Sequence, residues 1–317
     1  MAAGMTLRLH NSYPTVRLES TELDRFAAAA ERLTDGAIRV QVGHDSAYGV
    51  ADASALDWLA EGAVEMAHLR SSQIQNATPE LRGAYVMGAA RDIQDHMRAL
   101  PVLEQVYTRV LREHGIEPLV FLPSAIFTIS VFAQKEPVRS LADLRTRKLR
   151  VFSTDLEPTF RRLGVNARFW PQPELYEALQ RGEFDCTVYP ACHTVWSVPL
   201  WRVTQHSSYL FPEALPPNVL AVSAKTWNRL AEDARAALRR AARDIYPNYL
   251  RISLNPNDEL YARRNLEAAG HHWHPDFSVA DQDEFTASAR ATWAEYAELG
   301  GSRAVENRRA ILAAMGL

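Results

Sequence analysis

A chain of 317 residues is too long for one simple core, and its 47% hydrophobic and 23% charged residues are ordinary for a globular protein, so two domains are expected. The net charge of −3, with no basic or acidic block, gives no electrostatic reason to expect nucleic acid or an anionic membrane as partner. No apolar run reaches the length of about 18 residues that a transmembrane helix needs, and two cysteines, Cys186 and Cys192, make neither a disulfide framework nor a zinc ligand set.

The first residues, Met1-Ala2-Ala3-Gly4-Met5, lack the basic and apolar stretches of a secretory signal, so the chain reads as cytosolic or as one whose signal has been removed. Thr6 to Asn11 alternates and reads as a strand. Leu18 to Leu33 carries Leu23, Phe26, Ala27, Ala30 and Leu33 on one helical stripe and stops at Thr34-Asp35-Gly36, with Gly36 as a left-handed cap. Ile38 to Val42 is a second strand, Ala53 to Glu61 a short helix ended at Gly62, and Val64 to Leu69 a third strand. This βαβαβ run has crossovers of parallel-sheet length and predicts an α/β layer.

A second α/β unit begins near Leu119. Leu119 to Leu122 and Ile126 to Ala133 are strand-like, and Leu141 to Leu144 is a helical turn before the strand RKLRVF. Leu156 to Leu163 and Glu174 to Gln180 are helices closed at Gly164 and Gly182, and Phe184 to Tyr189 is a strand. Asn218 to Ser223 is another strand. A long helical stretch follows from about Ala231 to Ala269, where Pro247 and Pro256 predict kinks or breaks. Asp281-Gln282-Asp283-Glu284 reads as the polar start of a terminal helix.

Within RKLRVF, Leu149 and Val151 fall on one strand face and Lys148, Arg150 and Phe152 on the other. An arginine beside a phenylalanine suits a face that meets something both apolar and anionic. The aromatics Phe127, Phe152, Trp170, Tyr189, Trp196 and Trp201 gather in this second unit, several at strand ends, where an α/β sheet opens its ligand crevice.

Catalytic constellations are absent from the sequence: no GxSxG, HExxH, P-loop or GxGxxG occurs. His271-His272-Trp273-His274 would set His272 and His274 on one strand face, a geometry open to a divalent cation, although such a tract is more often a solvated surface strand. No metal and no cofactor is expected.

Two longer stretches carry a resemblance. PVRSLADLRTRKLRV, from Pro137 to Val151, is similar to P-V-x-x-x-x-D-L-K-G-x-K-x-R-V, and PELYEALQRGEFD, from Pro173 to Asp185, to S-E-x-Y-x-A-L-Q-x-G-x-x-D. FAAAAERLTDGAIRVQV and LEAAG fit the same family in the right order. The chain thereby resembles the extracytoplasmic solute-binding proteins of TRAP transporters, of the dicarboxylate-binding (DctP) type.

The resemblance implies an α/β, two-lobed periplasmic-binding-protein-like fold, with a long, proline-kinked helix spanning both lobes. Lobe I would comprise residues 5–125 plus about 213–250, and lobe II residues 126–212 plus about 251–317. It implies a monomeric, periplasmic receptor that captures a small organic acid and delivers it to TRAP membrane permease subunits, without enzymatic activity. Arg150 would grip the ligand carboxylate. Arg70 would face the cleft, with Ser12, Tyr13, Ser72, Gln73, Ser130, Phe152, Gln172 and Tyr189 also at the ligand.

Some positions depart from the family pattern. Thr146 replaces a usual glycine, and Ser130 stands where an arginine is common. Val188 and Tyr189 stand where glutamate and asparagine are usual, and the frequent P-F is lost around Tyr85 to Gly88. These changes predict a monocarboxylate with an aromatic or branched body, unless Arg70 supplies a second cation. The alternatives are an enzyme on the same scaffold, for which Cys186, His193 and Glu174 have suitable types but no supporting spacing, and a ligand sensor.

Overall fold

A computed structural model describes residues 4–317 apart from 125–126, 191–194, 196–197 and 214–215. Cys192, His193, Trp196 and the side chain of Phe127 therefore lie outside the described residues. The first unit is built from β1 (Met5–His10), α1 (Leu18–Leu33), β2 (Ile38–Gly43), α2 (Ala55–Glu61) and β3 (Met66–Leu69), in the βαβαβ order expected. Leu23, Phe26 and Ala30 bury one face of α1, and Gly36 after it has φ +79°, a left-handed conformation that glycine adopts without penalty.

There follow α3 (Ser71–Ala77), α4 (Pro79–Arg82), α5 (Ile93–Glu113) and β4 (Ile116–Leu122). The 21-residue α5 was not expected. Its signals are in the sequence nonetheless. The Asp92 side chain caps it by accepting the Asp95 amide at 2.8 Å, and Ala99, Leu103, Val106, Val110 and Leu111 make its buried stripe. Pro101 inside it obscures the pattern.

The second unit comprises β5 (Phe127–Ala133), α6 (Leu141–Leu144), β6 (Lys148–Val151), α7 (Leu156–Arg162), β7 (Asn166–Phe169), α8 (Leu175–Gln180), β8 (Cys186–Pro190) and β9 (His206–Glu213). The chain then returns through β10 (Asn218–Ser223), α9 (Ala224–Trp227) and α10 (Glu232–Ser253), followed by α11 (Pro256–Ala268), β11 (His272–Trp273), α12 (Val279–Leu299) and α13 (Ser302–Ala314).

Two sheets result. One has the order β2-β1-β3-β10-β4, with β1 parallel to both neighbours and β10 antiparallel to β3 and β4. The other has the order β11-β9-β5-β8-β6-β7, with β6 parallel to β7 and β8, and β5 antiparallel to β8 and β9. Each sheet carries an apolar cluster on both faces, which defines the two lobes. The chain passes from sheet to sheet between β4 and β5 and again between β9 and β10. There the Ser124 hydroxyl donates to the Pro216 carbonyl at 2.8 Å and the Ser253 hydroxyl to the Pro123 carbonyl at 2.7 Å, tying both passages to the end of α10.

The long helical stretch spans both lobes as two helices. α10 packs on α1 and β4, and α11 reaches β11. Pro247 does not break α10, because Ile245 and Tyr249 on either side of it are locked into the core and offset its helix cost. The break falls at Leu254-Asn255, and Pro256 opens α11 as its first residue, with Asn255 as cap. α12 lies against α4 and α7, and α13 against α5.

Candidate ligand-binding cleft

On the second sheet, Leu149 and Val151 enter the core on one face, and Arg150 points to the opposite face, as the alternation of RKLRVF predicts. Arg150 is only 1% exposed. Its Nε donates to the Trp170 carbonyl at 3.0 Å, and its Nη1 lies 3.5 Å from the Thr187 hydroxyl. No carboxylate pairs with it among the described residues. Burial pulls its pKa down to about 10, against a smaller opposing influence of Tyr189.

Tyr189 on β8 stands opposite Ser130 on β5, and both are buried. The Tyr189 ring meets Phe132 edge-on at 6.5 Å, and the Ser130 hydroxyl has no hydrogen-bond partner among the described residues. Phe152 departs from the expectation. β6 ends at Val151, so strict alternation no longer holds, and the half-buried Phe152 packs against the core on the Leu149 side. Its ring centroid is still 6.0 Å from the Arg150 guanidinium carbon.

On the first sheet, Arg70 follows β3 and forms an ion pair with Asp52. Gln73 completes this cluster: its Nε2 donates to Asp52 at 2.7 Å, and its Oε1 accepts the Arg70 amide at 2.7 Å. Asp52 escaped the sequence reading, since nothing local links it to a residue 18 positions away. Ser12 has a buried hydroxyl without a partner among the described residues, and the half-buried Tyr13 ring lies edge-on to His68 at 5.4 Å. Ser72 is exposed beside a cleft of about 40 Å³ that also takes in Ser153 and Asp155 of the other lobe. The Asp155 carboxylate accepts the Met87 amide at 2.8 Å, and burial raises its pKa. Gln172 is exposed and lines a cavity of about 600 Å³ with Pro14, Arg17, Glu19, Arg251 and Asn255, where lobe II faces lobe I.

Two histidines that the sequence reading passed over stand at the carboxyl ends of lobe I strands, the place where α/β sheets present ligand residues. His68 is fully buried, bonded through Nδ1 to Asn11 Oδ1 at 3.1 Å, and burial lowers its pKa to about 4. His10 is also fully buried, lies edge-on to Trp58 at 5.2 Å and has no partner for either ring nitrogen among the described residues. Burial lowers its pKa too, although the Asp52 carboxylate opposes the shift. Lobe I thus keeps its buried imidazoles neutral. Cys186, the imagined nucleophile, is a free thiol buried in the core, which pushes its pKa far up and leaves it inert.

The family profile of DctP, bacterial extracellular solute-binding protein family 7, matches residues 11–299. The chain belongs to this family. A solute-binding protein of Verminephrobacter eiseniae (strain EF01-2) is 23% identical to this family 7 protein over 313 residues, 97% of this chain and 90% of the relative. A TRAP periplasmic solute-binding protein from Ochrobactrum anthropi superposes with a TM-score of 0.84 over 99% of this chain and 95% of that one, at 17% identity. Another, from Rhodobacter sphaeroides in an apo open state, gives a TM-score of 0.82 over 98% and 99%, at 21% identity. The fold of this family 7 member is that of the TRAP solute-binding proteins, and among the described residues no helix is long and apolar enough to cross a membrane.

Proposed function

We propose that this protein is the periplasmic receptor of a TRAP transporter, a monomer that captures a small organic acid between its lobes and hands it to membrane permease subunits without turnover. Arg150 grips the ligand carboxylate. The observation that carries this reading is the Arg150 guanidinium itself, buried with a carbonyl and a distant hydroxyl for partners and no counter-charge among the described residues. A buried unpaired charge costs several kcal/mol, and a carboxylate offers both the missing charge and the matching fork geometry. Structural relatives add support, because several are named with a bound carboxylate. A marine metagenome protein is specific for pyroglutamate, DctP7 of Bordetella pertussis binds pyroglutamic acid, and the proteins from Chromohalobacter salexigens and Sulfurospirillum deleyianum hold D-glucuronate and succinate.

The ligand we infer is a monocarboxylate with a ring or branched apolar body. Arg70 is committed to Asp52, Ser130 carries no charge, the Tyr189 ring stands opposite Ser130, and the Phe152 ring centroid lies 6.0 Å from the Arg150 guanidinium carbon. A second carboxylate would have to compete with Asp52 for Arg70. A calorimetric screen of organic acids tests this. Ring-bearing or branched monocarboxylates are expected to bind more tightly than succinate, malate or sialic acid, and a dicarboxylate or sialic acid that outcompetes all of them overturns the assignment. Residues 5–125 with about 213–250, and 126–212 with about 251–317, are taken to close on the ligand as two bodies. Small-angle scattering should show a smaller radius of gyration at saturating ligand.

A further inference from the structure

Far from the Arg150 face, β11 docks in parallel on β9, pairing His272 with His206 and Trp273 with Ser207. Two backbone hydrogen bonds hold it to that one neighbour, the His272 amide donating to the Gln205 carbonyl at 2.8 Å and the His274 amide to the Ser207 carbonyl at 2.8 Å. This docking places His206 between the imidazoles of His272 and His274, with ring centroids 5.6 and 5.1 Å away.

We propose that His206 and His274 form a two-imidazole chelate for a divalent transition-metal ion of the copper or nickel class, bound between Nδ1 of His206 and Nε2 of His274. These two nitrogens are 3.0 Å apart. Metal–imidazole bonds are about 2.0–2.1 Å long, so two ligands at a right angle span about 3.0 Å, and two at the tetrahedral angle about 3.4 Å. The observed spacing matches the right angle, the arrangement that copper(II) and nickel(II) favour over zinc.

The hydrogen-bond pattern points the same way. His206 Nε2 is 3.2 Å from the Lys135 carbonyl, which can only accept, so that nitrogen carries the hydrogen and Nδ1 offers a lone pair toward His274. A ring N–H held by a backbone carbonyl is the outer partner that metal-binding histidines characteristically have. Without metal, His274 Nε2–H donates into the His206 lone pair. When the ion binds, that hydrogen moves through solvent to Nδ1 of His274, both rings stay neutral, and the ion takes its place.

His272 does not join. Its ring is nearly parallel to that of His206, at 25°, so their in-plane lone pairs run side by side, whereas the His274 ring is inclined by 51°. Among the described residues no group of three His, Cys, Asp or Glu is placed to enclose a metal, so this is an open site completed by water. The ion would pin β11, only two residues long, to the edge of its sheet.

The test is titration of chelator-treated protein with nickel(II) by calorimetry, and with copper(II) by electron paramagnetic resonance. One ion per chain is expected, with hyperfine coupling to two imidazole nitrogens. His206→Gln and His274→Ala should each weaken binding by at least about tenfold, while His272→Ala keeps it within about threefold. Melting curves of the metal-free variants confirm that each is folded, and two different substitutions guard against failure of one. Absence of saturable binding, binding that persists in the His206→Gln/His274→Ala double variant, or an equal loss in His272→Ala overturns the proposal.

Discussion

Arg70 and Arg150 each follow the same logic of a strand in an α/β layer, yet their surroundings differ. Arg70 has a side chain 31% exposed and is paired with an Asp52 carboxylate that is itself 42% exposed, so its charge is screened and already answered. Arg150 is buried and meets only neutral oxygens among the described residues. A cation in the first setting orders a loop, and here it does so through Gln73 and Asp52. A cation in the second setting raises the free energy of the empty protein and lowers it when an anion arrives. The contrast teaches that the two arginines are not equivalent halves of a dicarboxylate clamp.

Replacing the buried member should have the largest effect. Arg150→Ala is expected to reduce affinity for the cognate acid by about 2–5 kcal/mol, some 30-fold to several thousand-fold, read by calorimetry. Arg150→Met, which keeps the bulk and removes the charge, should leave the melting temperature of the empty protein unchanged or higher. A loss of affinity under about threefold with the fold intact would erase the distinction between the arginines.

The neutrality of the buried imidazoles provides the next test. Burial lowers the pKa of His68, His96 and His271 to about 4. The unfolded chain takes up these protons near its ordinary pKa of about 6.5 and the folded chain only near 4, so each group's contribution is complete above about pH 6.5 and is lost as pH falls toward 4. Each contributes up to about 3 kcal/mol. Urea unfolding at successive pH values should show stability falling across this window and a shallower fall in His68→Gln. A flat profile would mean that lobe I does not hold its imidazoles neutral.

The smallest effect belongs to Arg70. Because its ion pair is partly exposed, Arg70→Ala should cost about 0–1 kcal/mol of stability and change affinity for a monocarboxylate by less than about threefold. If it instead abolished binding of a preferred dicarboxylate, Arg70 and Arg150 would be partners after all.

Much of the fold was legible. The stripe of α1, the alternation of β1 and β2 and the cap at Gly36 depend on local sterics and on one buried face, and the structure reproduces them. The Ser278 hydroxyl accepts the Asp281 amide at 3.1 Å and starts α12 where the acidic tract announced a helix. Other elements were hidden. β9 contains Pro212, and β7 and β11 are four and two residues long, too short for a period to declare itself. The orientation of Arg150 was readable because Leu149 and Val151 leave it only one face. The pairing of Arg70 was not, because Asp52 sits in a short turn before α2 and meets it only after β1 and β3 have aligned.

By itself, the sequence determined the α/β layering, the chain's membership in a solute-binding family and the side of β6 from which Arg150 projects. The layering and the Arg150 face follow from side-chain periodicity and steric preference, which act within a few residues, and the membership from the two motifs, Pro137 to Val151 and Pro173 to Asp185, that resemble the family's. Tertiary structure alone decided which charges are answered. It brought Asp52 to Arg70, withheld any carboxylate from Arg150 among the described residues, and packed His10 and His68 into neutrality. Electrostatic partnership and desolvation depend on distance and burial in three dimensions, and neither quantity is written in the order of residues along the chain.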